Sequence, residues 1–188
     1  MSMTLPAGEK FQTDYNTDYP QSAGGNPVAR MITFEDKQTR FVNRVVGIAI
    51  DHGRVLLQHA VTDDFWALPG GRAELLEPSA ETLRREMREE IETDVEVERL
   101  VYVVENFFHY AGCRVHELGL YHVMHLPVDS LLRDVIEFEG YEGSLGIVFR
   151  WFPLETLSNV RIYPSFLREG LKALPAHITH VVITDRNG

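Results

Sequence analysis

Glu86, Glu89 and Glu90 stand at i, i+3 and i+4 within the stretch running from Gly71 to Thr93. On a helix, at about 100° per residue, their carboxylates span roughly 100° of one face. Ala80, Leu83, Met87 and Ile91 form a neighbouring apolar arc of about 80°. Arg84, Arg88, Glu81 and Glu92 take the remaining side. A solvated acidic face is the ordinary reading of such a cluster, but solvated faces usually mix signs. Three carboxylates with no basic residue among them are better explained by a cation from outside the chain. Oxygen donors suit hard divalent ions such as Mg²⁺ and Mn²⁺. Such an ion bridges diphosphate oxygens and acidifies water, which suits attack of water on phosphorus and cleavage of a P–O–P bridge.

These side chains need a helix to bring them together. Pro78 is expected at the first helical position, where its missing N–H costs nothing. Glu81–Arg85 and Arg85–Glu89 are i,i+4 pairs worth about 0.2–0.5 kcal/mol each, and Glu86–Glu90 opposes the helix by a similar amount. Upstream, residues 1–40 are polar and turn-rich and read as an irregular N-terminal arm, with Met31–Phe34 as an edge strand. Arg44–Ile50 and Arg54–His59 read as a hairpin around Asp51-His52-Gly53. Two strands, Val95–Phe108 and Arg114–His125, follow the helix with Ala111-Gly112-Cys113 turning between them. An acidic, glycine-rich connection then carries Glu137, Glu139 and Glu142. Ile147–Phe152 reads as a strand, Pro164–Leu174 as a closing helix, and His177–Thr184 as a last edge strand or an interface. Residues 41–188 thus form one α/β domain with a mixed sheet between helices.

The stretch from Gly71 to Thr93 resembles the Nudix box, G-x5-E-x7-R-E-U-x-E-E-x-G-U with U aliphatic. Gly71, Glu77, Arg85, Glu86, Met87, Glu89 and Glu90 fall in register, and Trp66-Ala67-Leu68-Pro69-Gly70-Gly71 resembles the usual lead-in. Two positions depart: Glu92 replaces the late glycine and Thr93 the final aliphatic. That glycine ends the helix in a left-handed conformation, so a reshaped helix end is expected here. The resemblance implies an α/β/α sandwich and a pyrophosphohydrolase using Mg²⁺ or Mn²⁺. It implies Glu86 and Glu90 as metal ligands, Glu89 as ligand or base, Gly71 as a carbonyl ligand, and Arg85 as the partner of Glu77. Some Nudix enzymes place the base on a later loop, where Glu142 is the candidate chosen; Glu105 and Glu117 are others. Tyr110 and Phe107 are candidates for stacking a base, and dinucleoside-polyphosphate hydrolases of the superfamily carry a tyrosine near the former position.

The chain has 188 residues, 44% hydrophobic and 24% charged, with a net charge of −10. That charge argues against a nucleic-acid polymer as partner, since polymer binders carry basic stripes. A small nucleotide or other diphosphate remains compatible once a metal screens the repulsion. No apolar run is long enough for a bilayer, and a single cysteine, Cys113, suits a reducing cytoplasm. Tyr15 and Tyr19 leave a homodimer open. His116, His122 and His125 lack zinc-site spacing, because 122 and 125 face opposite ways on a strand. The substrate class is a nucleoside diphosphate linked to another group, or a nucleoside triphosphate. A non-catalytic nucleotide sensor is the alternative, disfavoured by retention of every box acid. Isoprenoid diphosphate isomerisation would need a better placed cysteine.

Overall fold

The computed structural model describes residues 30–142 and 145–184, with the side chains at 142 and 145 outside the described set. Tyr15 and Tyr19 lie outside the described residues. The chain opens with β1 (Thr33–Glu35) and β2 (Thr39–Ile48), followed by β3 (Ile50–Asp51), β4 (Arg54–Ala60) and β5 (Gly70–Arg72). Then come α1 (Ser79–Ile91), β6 (Glu96–Tyr110), β7 (Cys113–His125), β8 (Glu137–Glu142) and β9 (Leu145–Pro153). A short helix α2 (Leu167–Gly170) and strand β10 (Thr179–Thr184) close the described chain.

Two sheets form. A six-stranded mixed sheet runs β1-β2-β7-β6-β10, with β5 also on β2; a four-stranded antiparallel sheet runs β3-β4-β9-β8. The hairpin expected between Arg44–Ile50 and Arg54–His59 is therefore corrected. Only Ile50 and Asp51 pair with β4, while β2 lies parallel to β7 and β4 antiparallel to β9. Alternation along the strands serves both faces: Val45 and Ala49 join one core with Leu83, Met87 and Ile91 of α1, and Val46 and Ile48 join the other with Leu157, Leu167 and Leu171. Because successive side chains point to opposite faces, a strand covered on both sides must be apolar at consecutive positions, as at residues 45, 46, 48 and 49.

The acidic connection expected around Glu137 and Glu139 is strand β8. Its register partner β9 pairs Glu137 with Arg150 and stacks Phe138 on Phe149. The expected helix over Pro164–Leu174 shrinks to the single turn of α2, with Leu167 and Leu171 buried in that core and Phe166 and Leu174 packed against it. The edge strands expected near Met31 and near His177 both pair, β1 on β2 and β10 on β6. Among the described residues no helix is long and apolar enough to cross a membrane.

Candidate active site

Pro78 occupies the cap of α1 with extended ψ of 144°, one position outside the helix expected for it. Its carbonyl accepts from Glu81 and Thr82, so the cap loses no donor. Leu83 and Met87 are fully buried, and each such side chain contributes about 1.5–3 kcal/mol on leaving water. The exit is left-handed after all: Glu92 has φ 51° and ψ 36°, and its N–H closes on the carbonyl of Arg88. The expected reshaping does not occur, since Glu92 takes the conformation a glycine would have supplied.

The acidic face divides. Glu86 and Glu90 are buried at 8% and 4% exposure, inside the stripe that also holds Leu83 and Met87. The Glu89 side chain is 60% exposed. Nor is the face free of basic residues. Arg85 donates from Nε and Nη2 to the two oxygens of Glu77 at 3.0 and 3.1 Å. Its Nη1 also reaches Glu86 at 2.8 Å and Glu89 at 3.3 Å. The expected Glu81–Arg85 pair is absent from these contacts, and Glu81 binds Arg84 at 2.6 Å instead.

Glu77 lies on the loop entering α1, just past Leu76, which is fully exposed with φ 67°. Burial alone would raise the Glu77 pKa, but the Arg85 fork and a 2.8 Å hydrogen bond from the Thr82 hydroxyl bring it below the usual value. For Glu86 the order reverses. Burial raises its pKa, and one bond from Arg85 offsets only part of that.

Below Glu86 lies the backbone of β5. A Cβ at Gly71 would sit 2.1 to 2.3 Å from the Glu86 carboxyl atoms, so the carboxylate occupies the space a side chain would fill. Gly70, at φ 137°, meets the β2 backbone so closely that a Cβ would stand 2.1 Å from the Val45 carbonyl oxygen. Among the described residues no three His, Cys, Asp or Glu side chains form a finished metal cage. Two buried carboxylates, one exposed carboxylate and a bare peptide ridge are nevertheless an all-oxygen donor set, which fits Mg²⁺ or Mn²⁺.

The remaining candidates scatter. Glu142 ends strand β8, and its side chain lies outside the described residues. Glu105 pairs with His180 at 2.8 Å. Glu117 is half-buried on β7, and burial raises its pKa, partly offset by the charge of Arg44. Tyr110 reaches Asp63 at 3.4 Å from the end of β6. Phe107 stacks on His116 with centroids 4.4 Å apart, in a groove of about 580 Å³ that also holds Phe34 and Phe41. Tyr110 and Phe107 are three residues apart and lie on opposite faces of β6. One ligand cannot stack on both. His122 is buried, its ring nitrogen 3.0 Å from the Ser79 hydroxyl, and burial holds its pKa below the usual range. Thr82 and Arg44 were missed; the available signals were a Thr five positions after the loop acid and a lone Arg entering an apolar strand.

The Nudix domain family model matches residues 40–174, most of the chain, and the chain belongs to the Nudix hydrolase family. Solved structures show the same fold. UDP-X diphosphatase superimposes with TM-score 0.56 at 18% identity, covering 74% of this chain and 66% of that one. A NUDIX hydrolase from Nitrosomonas europaea gives TM-score 0.53 at 18% identity, covering 77% and 79%. An ADP-ribose pyrophosphatase from Streptococcus suis gives 0.50 at 18% identity, covering 75% and 98%. A search of curated proteins finds no match.

Proposed function

We propose that this chain is a divalent-metal-dependent pyrophosphohydrolase cleaving the P–O–P bridge of a nucleoside diphosphate linked to another group, or of a nucleoside triphosphate. One observation carries it: Glu86, buried and relieved only in part by Arg85, rests on the bare Gly70–Gly71 ridge beside buried Glu90. Held by Glu86 and Glu90, with Glu89 and the Gly71 carbonyl as further donors, Mg²⁺ or Mn²⁺ would neutralise diphosphate charge and acidify the attacking water.

The protein's own groups have separate tasks. Arg85 ties the loop to the helix through Glu77 and keeps Glu86 and Glu89 in reach of one site. Glu89, the most exposed of the three acids, is proposed to take the water's proton; Glu142 is the second candidate for that base. Tyr110 is proposed to stack the base, since the Asp63 contact draws loop 60–67 to the end of β6. Phe107 has its partner in His116. The substrate class is supported by the names of two fold neighbours, UDP-X diphosphatase and ADP-ribose pyrophosphatase. A free Cys113 suits a reducing cytoplasm, and a homodimer would be checked by light scattering.

The test is incubation of the full chain with Mg²⁺ or Mn²⁺ and a panel of nucleotide-linked diphosphates and triphosphates, then phosphate release after phosphatase. Turnover that needs the metal is expected. Tight nucleotide binding without turnover across the panel would make the chain a sensor module and end this reading.

A further inference from the structure

The short strand β5 is gripped from two sides. Arg85 donates from Nη2 to the Arg72 carbonyl at 3.1 Å. From the opposite side Arg44, on β2, donates from Nη2 to the Gly70 carbonyl at 2.7 Å. Between these two carbonyls lies Gly71, and the Glu86 carboxylate fills the space above it. A strand of three residues has few ladder bonds of its own: β5 pairs with Arg44, Val45 and Val46 of β2, and one backbone bond to β2 flanks it at each end, at Pro69 and at Ala73. Its placement therefore depends on side-chain contacts as well as on the ladder.

The seat of Arg44 is built. Its register partner on β7 is Gly119, where a Cβ would stand 2.6 Å from the Tyr121 ring, so the ring fills the space beside the guanidinium's strand position. Glu117 sits diagonal to Arg44 on the same face of β7, with Asn106 as its register partner on β6, and the guanidinium's charge favours its ionised form. The same cation also acts on Glu86. Arg44 thus joins an acid outside the box to the backbone under an acid within it.

We propose that Arg44 is a positioning residue: by holding the Gly70 carbonyl it fixes the Gly70–Gly71 ridge on which Glu86 rests, while Glu117, diagonal to it on β7, supplies the opposite charge. The proposal rests on the reading of Glu86 as a metal ligand. Two effects of removing Arg44 then compete. Deleting a cation beside Glu86 strengthens the local negative potential and tightens a dication. Releasing the ridge spreads the donors and weakens it, and outer-shell losses of this kind typically cost about 10–100-fold in metal affinity. Positioning outweighs the charge effect, so net weakening is the expected sign.

The experiment uses the full chain as wild type, Arg44→Met, Arg44→Lys and Glu117→Gln. Amide hydrogen exchange of Gly70, Gly71 and Arg72 is read without metal, with Leu56 and Leu57 as core controls. Mn²⁺ affinity is read by calorimetry. Arg44→Met should speed exchange in β5 by about 10-fold with the core unchanged and weaken Mn²⁺ by about 10-fold. Arg44→Lys, which keeps the charge and one donor, should recover part of both, and it serves if the Met variant fails to fold. Glu117→Gln should shift both in the same direction by less. Unchanged β5 exchange overturns the proposal, as does tighter Mn²⁺ binding by Arg44→Met. A raised KM with neither change would make Arg44 a substrate contact and overturn it too. If the wild type binds no Mn²⁺, the metal reading fails separately, and the metal-free exchange still decides whether Arg44 anchors the ridge.

Discussion

Glu77, on the loop before α1, and Glu86, midway along it, share one arginine, yet their pKa values move in opposite directions. Both are largely removed from water, with side chains 17% and 11% exposed. Glu77 takes two of the Arg85 nitrogens and a threonine hydroxyl, and stays ionised below the usual carboxylate range. Glu86 takes one nitrogen, and burial keeps its pKa high. The planar fork of Arg satisfies one carboxylate fully and leaves little for a second. One acid of the box is thereby a fastener, and the other is left with unmet demand for positive charge. Under the proposed function, that difference separates structure from chemistry within a single motif.

Breaking the chemical half should give the largest effect. Glu86→Gln or Glu90→Gln should lower turnover on the best panel substrate by about 10³-fold, the equivalent of about 4 kcal/mol of lost transition-state stabilisation. Turnover within a few-fold of wild type in both variants would remove these residues from the site. Binding of metal sharpens the contrast next: Mn²⁺ at about 100 times its dissociation constant should stabilise the wild type by about 2.7 kcal/mol in thermal melts. Glu86→Gln should lose most of that gain, whereas Glu77→Gln should keep more of it.

Stability of the metal-free protein should then move in opposite directions. Glu77→Gln should cost about 2–3 kcal/mol in urea unfolding, because a forked charge pair is broken in a half-dry site. Since Glu77 titrates below its ordinary 4.5 in the fold, its contribution is present above that value and is lost as pH falls through the folded pKa. The variant should accordingly show a flatter acid limb. Glu86, raised above 4.5, carries a penalty at neutral pH that fades as pH falls through its folded pKa. Glu86→Gln should raise the metal-free urea midpoint at pH 7; a drop would contradict the comparison. The smallest effect belongs to the helix exit. Glu92→Gly should add about 0.5–1 kcal/mol by relieving a non-glycine residue at φ 51°, with turnover unchanged.

The spacing of Glu77, Arg85, Glu86, Glu89 and Glu90 was legible without coordinates because a motif within one loop and one helix is a local object. Helical periodicity alone puts those residues on adjoining faces. The strands around β6 and β7 were legible for the same reason, each being a long β-branched and aromatic run. The sheet partners were not. β2 and β4 are close in sequence and look like a hairpin, yet they enter different sheets because each finds a longer partner elsewhere. β8 was hidden because Glu137, Glu139 and Tyr141 face solvent while, among the described side chains, Phe138 and Gly140 turn inward.

The sequence by itself determined the box, its cluster of oxygen donors and the two-sided burial of the strands, since these follow from residue types at short fixed spacings. Only the tertiary structure decided which acids are dry, how one arginine is divided among four carboxylates, and that Arg44 reaches Gly70 from another strand. Burial and charge sharing depend on distances between segments far apart in the chain, and no local pattern encodes those distances.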